Sequence, residues 1–487
     1  MRYDIVLRAG RVVDPGVGVD DVRNVGIKGH TVRAVTQSPL EGAVVIDAYG
    51  LVVCPGFIDL HSHAQNLAGR RLQACDGVTT ALELEAGRSP VRAAYEREAL
   101  VGSPIHYGFS ASWAVARRQA LAGRPADGSM KGGLSVLGEP DWTGPATAEQ
   151  RSRVLGQLAG DLANGALGVG VLLGYAPDVE PGEYIDIAKL AAAAGAPTFT
   201  HSRDLAEVSP RALADGAEEL VRAASESGAH MHYCHINSTS SRFIERVLAV
   251  IDRCRAAGGR VSVEAYPYGS SSTAINAPFL APERLGERGL KPESVTYLRT
   301  GERVASAARL EELRKSDANG LAVVEFLDED DPSGRASLLR ALTYADTIIA
   351  SDALPLVAIN SAFDAGSWPL MPGALTHPRS AGCFARSLRL WRQEGRPLAD
   401  IIRRCTWLPA QVLEARCPAM KAKGRLAPGC DADVVVFDAA RVTDRATYTN
   451  GATPSLGIVH VLVDGQFVVR DGQLVPDANP GRPVIAA

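Results

Sequence analysis

Two different patterns of apolar and polar positions divide the chain. Up to about residue 56, short β-rich runs (Asp4–Leu7, Arg11–Val13, Val22–Ile27 and Val44–Asp47) are broken by Gly, Pro and Asp. Such runs predict strands joined by tight turns. The other end mirrors this, with strand-like runs at Asp433–Phe437, Val459–Val463 and Gln466–Val469 and turn signals at Gly429, Asp431, Gly465 and Gly472. Two β-rich ends around a different middle predict one small β-domain assembled from residues 1–56 and 421–487.

The middle, about 57–410, alternates apolar strands with Ala- and Leu-rich helical stretches. Val78–Glu85 precedes a helix around Pro90–Val101, Leu167–Leu173 precedes Glu183–Ala194, and Thr198–His201 precedes Ser209–Ser227. His230–Ile236 precedes Ser240–Ala257, Val261–Ala265 precedes a long excursion, and Thr347–Ser351 comes last. Repeated strand-then-helix units predict an α/β fold of parallel strands with crossover helices. A closed eight-stranded barrel and an open doubly wound sheet both fit. No G-x-G-x-x-G follows a first strand, and the lone Gly168-Val-Gly170 carries little weight. The stretch 281–345 breaks the rhythm and is charged, with five acids between Glu325 and Asp331. It reads as a solvated surface insertion or as a lid over the barrel mouth.

Composition narrows the class of function. The 487 residues are 46% hydrophobic and 22% charged, which is ordinary for a folded globular chain. A net charge of −4 provides no overall basic field for nucleic acid or anionic lipid. No run approaches the ~20 apolar residues of a membrane span. Asp4 interrupts the N-terminal stretch where an export signal would need an apolar core. The eight cysteines (54, 75, 234, 254, 383, 405, 417 and 430) lack paired spacing, which predicts free thiols and a cytoplasmic protein. A small-molecule or peptide substrate is expected, with no nucleic acid and no membrane; self-association into a homo-oligomer stays open.

The chemistry concentrates where apolar strands end. Pro55-Gly-Phe-Ile-Asp-Leu-His61-Ser-His63 places two histidines two residues apart, so both imidazoles point to one side and can grip one cation. Glu83 and Glu85 share one face of the next strand, and Glu85, nearer its end, is the better metal ligand. Thr198-Phe-Thr-His201-Ser-Arg203 ends another strand in a histidine. His230-Met-His232-Tyr-Cys-His235 offers three histidines. His235 sits latest, His232 reads as a buried supporting partner, and His230 as the strand start. Ile348-Ile-Ala-Ser-Asp352 ends in a carboxylate suited to ligating a metal and shuttling a proton. Four histidines and two carboxylates from separate strand ends match a zinc-type site holding one or two divalent ions, which acidify a bound water. A cysteine nucleophile is weaker: Cys234 lies inside an apolar strand and Cys383 has no basic partner in sequence.

Pro55–His63 and Gly424-Arg-Leu-Ala-Pro-Gly-Cys-Asp-Ala-Asp433-Val-Val-Val-Phe-Asp resemble the first-strand and C-terminal signatures of the amidohydrolase superfamily. The resemblance implies a (β/α)8 barrel over 57–420 with a β-sandwich domain split between the termini, and a hydrolytic metal centre. Within the superfamily, Gly77–Gly87, Thr200–Arg203, Glu264–Gly269, Ala350–Ala353 and Thr376–Phe384 are similar to the D-aminoacylases, above all the N-acyl-D-glutamate deacylase-like branch. By that resemblance His201 and His235 hold the main zinc, and His61 and His63 help form a second site. Tyr266, Ser272 and Arg379 become candidates for the substrate carboxylate, with Arg203 and Asn237 beside them.

The chain also departs from the pattern. Leu167–Leu173 contains no lysine to be carbamylated, Ala86 stands where the D-aminoacylases carry a cysteine ligand, and Asn237 stands where a lysine is expected. Glu85 is the nearest substitute for the bridging ligand. The expected activity is metal-dependent deacylation of an N-acyl-D-amino acid. Trimming of a modified peptide in natural-product maturation of the bottromycin type, and a non-catalytic amidohydrolase-like scaffold, are the alternatives.

Overall fold

The computed structural model describes residues 2–210, 212–358, 368–370 and 373–487. Eight parallel strands form one sheet: β1 (Phe57–Asp59), β2 (Val78–Arg88), β3 (His106–Ser112), β4 (Val169–Leu172), β5 (Thr198–His201), β6 (Met231–Tyr233), β7 (Val261–Ala265) and β8 (Ile348–Ile349). They pair in sequence order, and the edges β1 and β8 meet just past their ends. Ser62 bridges Ala353 in parallel, and His63 N donates to Ala353 O at 2.7 Å. The Asp59 carboxylate accepts the backbone N–H of Ser351 at 3.0 Å, so the aspartate of the first-strand motif ties the two edge strands together. The barrel is therefore closed, and the open-sheet alternative falls.

The strands absent from the sequence reading are instructive. β3 was not among the expected strands. His106-Tyr-Gly-Phe-Ser-Ala-Ser alternates weakly, because every one of its positions is buried. A strand covered on both faces has no polar side to betray it. The helix expected over Ser209–Ser227 begins later, at Gly216, because Asp215 caps it by accepting from Ala217 N and Glu218 N.

The excursion after β7 is a four-stranded antiparallel sheet of Ser270–Ala274, Leu321–Glu325, Val295–Tyr297 and Glu302–Arg303, in that order. It starts earlier and ends sooner than the charge pattern implied. Helix Pro332–Thr343, read as part of the insertion, packs on helix Ile244–Ala256 and is the crossover leading to β8. The insertion is not merely a solvated surface: Phe279, Leu280, Arg288, Val324 and Phe326 line the cleft over the C-terminal ends of the barrel strands.

Both ends of the chain build one nine-stranded sheet, with Val434–Phe437 hydrogen-bonded antiparallel to Val52–Pro55 at the seam. Strand Tyr3–Asp14 runs through a register shift between Leu7 and Gly10, where Ala9 takes a φ of 57°. Before the shift it pairs with Gly42–Asp47, and after it with Val52–Val53. This bulge folds the sheet over its own apolar core of Ile5, Val12, Val25, Val53, Val434 and Leu462. Residues 480–486 leave the sheet and run along the barrel floor. Val484 N donates to Tyr107 O at 2.7 Å, and Val484 joins Leu82, Leu167 and Phe199 in one cluster.

Candidate metal centre

The strand ends bring six predicted residues to one point. Glu85, near the end of β2, lies at the middle. Its Oε1 is 2.8 Å from His235 Nε2 and 3.1 Å from His201 Nδ1. Its Oε2 is 3.2 Å from His61 Nε2 and 3.6 Å from His63 Nε2. One carboxylate thus faces two histidine pairs, one pair on each oxygen. Asp352 Oδ1 stands 3.4 Å from both His61 Nε2 and His63 Nε2. His61, His63 and Asp352, and separately His61, Glu85 and His235, present atoms close enough to share one ion.

Two of these residues sit on unusual backbone. Asp352 has φ 49° and His235 φ 33°, in the left-handed region that costs a side chain about 1–3 kcal/mol. Both lie immediately beyond a strand end, where the chain turns sharply to aim the side chain across the barrel mouth.

A further layer holds the imidazoles. His63 Nδ1 is 2.8 Å from Glu83 Oε2, and His61 Nδ1 is 2.5 Å from Glu264 Oε1. These contacts leave Nε2 of both rings facing the centre. Glu83 therefore supports a histidine rather than joining the six donors. Sequence reading missed Glu264, although it offered a signal: an acid at the end of the apolar strand Val261–Ala265.

The electrostatics call for a cation. Four carboxylates, Glu83, Glu85, Glu264 and Asp352, are nearly inaccessible around the imidazoles, and Arg379 pairs with Asp352. Burial disfavours a charged His61, yet Glu85, Asp352 and Glu264 reverse that and raise its pKa well above the ordinary value. At Glu85 burial likewise opposes ionisation, and His61, His235 and His201 overcome it, holding the carboxyl well below its usual range. Burial lowers the His201 pKa from its ordinary value against the pull of Glu85, which favours the neutral ring that a ligand needs. An imidazole and carboxylate donor set of this kind suits a borderline divalent ion such as zinc. Cys234 offers a third combination with His61 and Glu264, but burial pushes its thiol up and Glu264 already holds two histidines.

The absent fourth-strand lysine has a geometric counterpart. A Cβ at Gly170 on β4 would stand 2.2 Å from Glu85 O and 2.6 Å from Leu84 O. β4 approaches the backbone of β2 too closely there for any side chain, and Glu85 itself occupies the centre.

Beside the centre, Arg379 Nη2 pairs with Asp352 Oδ2 at 2.8 Å, and the guanidinium lies 4.7 Å above the Tyr266 ring. Among the described residues, Arg379 Nε and Nη1, Ser272 Oγ and Tyr266 Oη are buried and find no hydrogen-bond partner. Buried polar atoms left unpaired beside a cleft mark a ligand position. Two other expected contacts are tied to the protein instead. Arg203 donates to Glu219 Oε2 at 2.7 Å, Pro177 O at 2.5 Å and Val179 O at 2.6 Å, which turns its guanidinium into the fold. Asn237 donates to Tyr266 O at 3.1 Å and Tyr268 O at 3.3 Å, so its amide braces the loop after β7. Both side chains are thus held by protein partners, although Arg203 still lines the cleft.

Arg288 is an additional cleft residue with no signal in the sequence. It stacks 4.6 Å over Phe279, pairs with Asp204 and leaves Nε unpartnered. Arg284 shares the same Asp204 at 2.9 Å, so two guanidinium groups meet one carboxylate at the cleft wall.

Comparison with known proteins agrees with this architecture. The N-acyl-D-glutamate deacylase of Alcaligenes xylosoxydans xylosoxydans is 29% identical over 518 residues, covering 99% of this chain and 96% of the relative. The D-aminoacylase of the same organism is 28% identical, covering 96% of this chain and 95% of the relative. Among solved structures, the N-acyl-D-glutamate deacylase of Bordetella bronchiseptica, complexed with zinc and a phosphonate inhibitor, superposes with a TM-score of 0.76 at 23% identity over 100% of both chains. A D-aminoacylase superposes with a TM-score of 0.75 at 23% identity, again over 100% of both chains. The amidohydrolase family model matches residues 44–469, from the terminal sheet through the whole barrel and back, and this chain belongs to that family of hydrolases.

Proposed function

We propose that this protein is a divalent-metal-dependent deacylase of N-acyl-D-amino acids, with preference for an acidic side chain. The observation that carries the reading is Glu85, set between His61/His63 and His201/His235 with Asp352 alongside. A zinc ion held by these residues would supply Lewis-acid polarisation of the scissile carbonyl and an acidified water. Burial opposes ionisation of Asp352, but Arg379 and His61 keep its pKa low, so the carboxylate stands ready to accept a proton. In this reading Asp352 takes the proton of the attacking water and returns it to the departing amine nitrogen. Arg379 Nε and Nη1, Ser272 Oγ and Tyr266 Oη receive the α-carboxylate, since a guanidinium fork suits that group. Arg288 answers a second anionic group on the substrate.

The D configuration and the acidic side chain draw support from the relatives' names, among them an N-acyl-D-aspartate deacylase 28% identical to this chain. The enclosed position of the unpaired Arg379 favours a substrate that ends in a carboxylate over an internal peptide segment. The convergence of all six donors argues against a scaffold without catalysis.

The test is steady-state kinetics of zinc-loaded protein on N-acetyl-D-glutamate, its L enantiomer and N-acetyl-D-leucine. The D-glutamate derivative should be preferred. Arg288→Ala should lower its kcat/KM by about 1.5–3 kcal/mol, the worth of a hydrogen bond to a charged group, and leave the leucine derivative nearly untouched. Failure of the metal-loaded protein to turn over any N-acyl-D-amino acid would sink the reading.

A further inference from the structure

Inside the barrel, a single file of hydrogen bonds climbs from its floor to the metal centre. His230 Nε2 is 2.8 Å from Ser262 Oγ, which is 2.7 Å from His232 Nδ1. His232 Nε2 is 2.9 Å from Glu264 Oε2, and Glu264 Oε1 is 2.5 Å from His61 Nδ1. The arrangement follows from strand geometry. His232 and Ser262 are register partners on β6 and β7. His230 with His232, and Ser262 with Glu264, are two residues apart, so each pair faces inward on its own strand.

The proton positions in this file are forced by its chemistry. An ionised carboxylate only accepts, so Glu264 must receive N–H from His232 Nε2 and from His61 Nδ1. His235 N adds a third donor at 3.3 Å. With its proton on Nε2, neutral His232 can only accept at Nδ1, so the Ser262 hydroxyl must donate there. Ser262 Oγ then accepts from His230 Nε2. Each neutral ring is left with one tautomer, so a neutral His61 at the top of the file presents a bare Nε2 to the centre. Burial, with His232 and Arg260 nearby, pulls His230 down to about 3, so it enters the file as a neutral ring.

We propose that Ser262 and His232 are positioning residues which, through Glu264, set the tautomer and orientation of His61 as a metal ligand. The inference rests on the metal-centre reading. It adds that ligand quality is decided by residues one strand layer below, which touch neither metal nor substrate. Removing the Ser262 hydroxyl leaves His232 Nδ1 without its donor, so the ring is no longer fixed in place. Its Nε2–H is then held on Glu264 Oε2 less firmly, and the carboxylate loses support against His61.

The experiment is a zinc competition titration of the purified protein against a chromophoric chelator, which needs no knowledge of the substrate. Ser262→Ala and His232→Leu should weaken zinc binding by about 10- to 100-fold, the range for removal of an outer partner of a ligand. Ser262→Thr keeps the hydroxyl and His232→Gln keeps a donor toward Glu264, so both should stay close to wild type. Ser262→Ala, which removes one oxygen, carries the test should His232→Leu not fold. Folded Ser262→Ala protein that binds zinc as tightly as wild type would overturn the proposal, as would an equal loss in the conservative variants, which would assign the effect to packing. Wild-type protein with no measurable zinc affinity would instead overturn the metal-centre reading itself, and the proposal with it.

Discussion

Glu85 shows how much one side chain can organise. Its two oxygens face two imidazole pairs, so no neutral side chain can replace it without leaving one pair unmatched. Glu85→Gln should lower both bound metal and kcat/KM by more than the 10- to 100-fold typical of an outer partner. Elemental analysis beside kinetics checks this; full metal occupancy in the variant would remove Glu85 from the ligand set. Asp352→Asn separates binding from proton transfer. The amide retains an oxygen toward His61 and His63 but cannot accept a proton. Turnover should fall about 100- to 10,000-fold while most of the metal stays bound. A variant within about threefold of wild type, far short of that range, would assign the base to another group. Arg379→Ala must be read with an amide-capped substrate beside the free acid, because Arg379 also holds Asp352. A larger loss for the free acid identifies a carboxylate contact. Equal losses show that Arg379 acts through Asp352 alone.

The strand ends and the turns behind them set the tolerance of the centre. The short helical turn Leu173–Tyr175 follows β4 and presses Gly174 against His201. A Cβ at Gly174 would lie 2.4 Å from His201 Cδ2 and 2.8 Å from its Nε2. Gly174→Ala should therefore displace the imidazole, and the Ser202 carbonyl 2.8 Å from the same position, and lower metal content. Unchanged metal content would mean that His201 can retreat at no loss. The ring of His201 also packs 4.9 Å from that of Tyr175 and 6.0 Å from that of Phe279. The insertion is thus coupled to the ligand it covers.

The barrel and the terminal sheet are joined by buried charge. Asp433 Oδ1 is 3.0 Å from His106 Nε2 at the start of β3, and its Oδ2 is 2.7 Å from Lys423 Nζ. Burial opposes ionisation of Asp433, but His106 and Lys423 hold its pKa far below the usual carboxylate range. A depressed carboxylate contributes stability that is present above the unfolded-state value near 3.9 and lost as pH falls through the folded value. Asp433→Asn should destabilise the protein at neutral pH by less than the about 3–5 kcal/mol of a wholly uncompensated buried charge, because Lys423 loses its nearer carboxylate but keeps Asp431 at 2.9 Å. The variant should also lose stability less steeply in acid than wild type does. Chemical denaturation across pH 3–7 measures both slopes, and parallel curves would contradict the role given to Asp433. Among the described residues no helix is long and apolar enough to cross a membrane.

Much of this was legible without coordinates. Strand periodicity, the His-x-His after Pro55–Asp59 and the acid after Ile348–Ile349 pointed to a barrel with donors at its strand ends, because a parallel barrel puts every strand's C-terminal end on one face. Identity and position along a strand named His61, His63, Glu85, His201, His235 and Asp352, the six residues that converge at the barrel mouth. What could not be read was which groups were already spoken for. Arg203 and Arg379 look alike in sequence, yet one is tied to Glu219 and to backbone carbonyls while the other has two nitrogens that meet no partner among the described residues. Asn237 and Glu264 exchanged importance for the same reason: one is used up bracing a loop, the other grips two histidines. Hydrogen-bond satisfaction is a property of distances across the barrel, between strands far apart in the chain. It exists only once the barrel has closed.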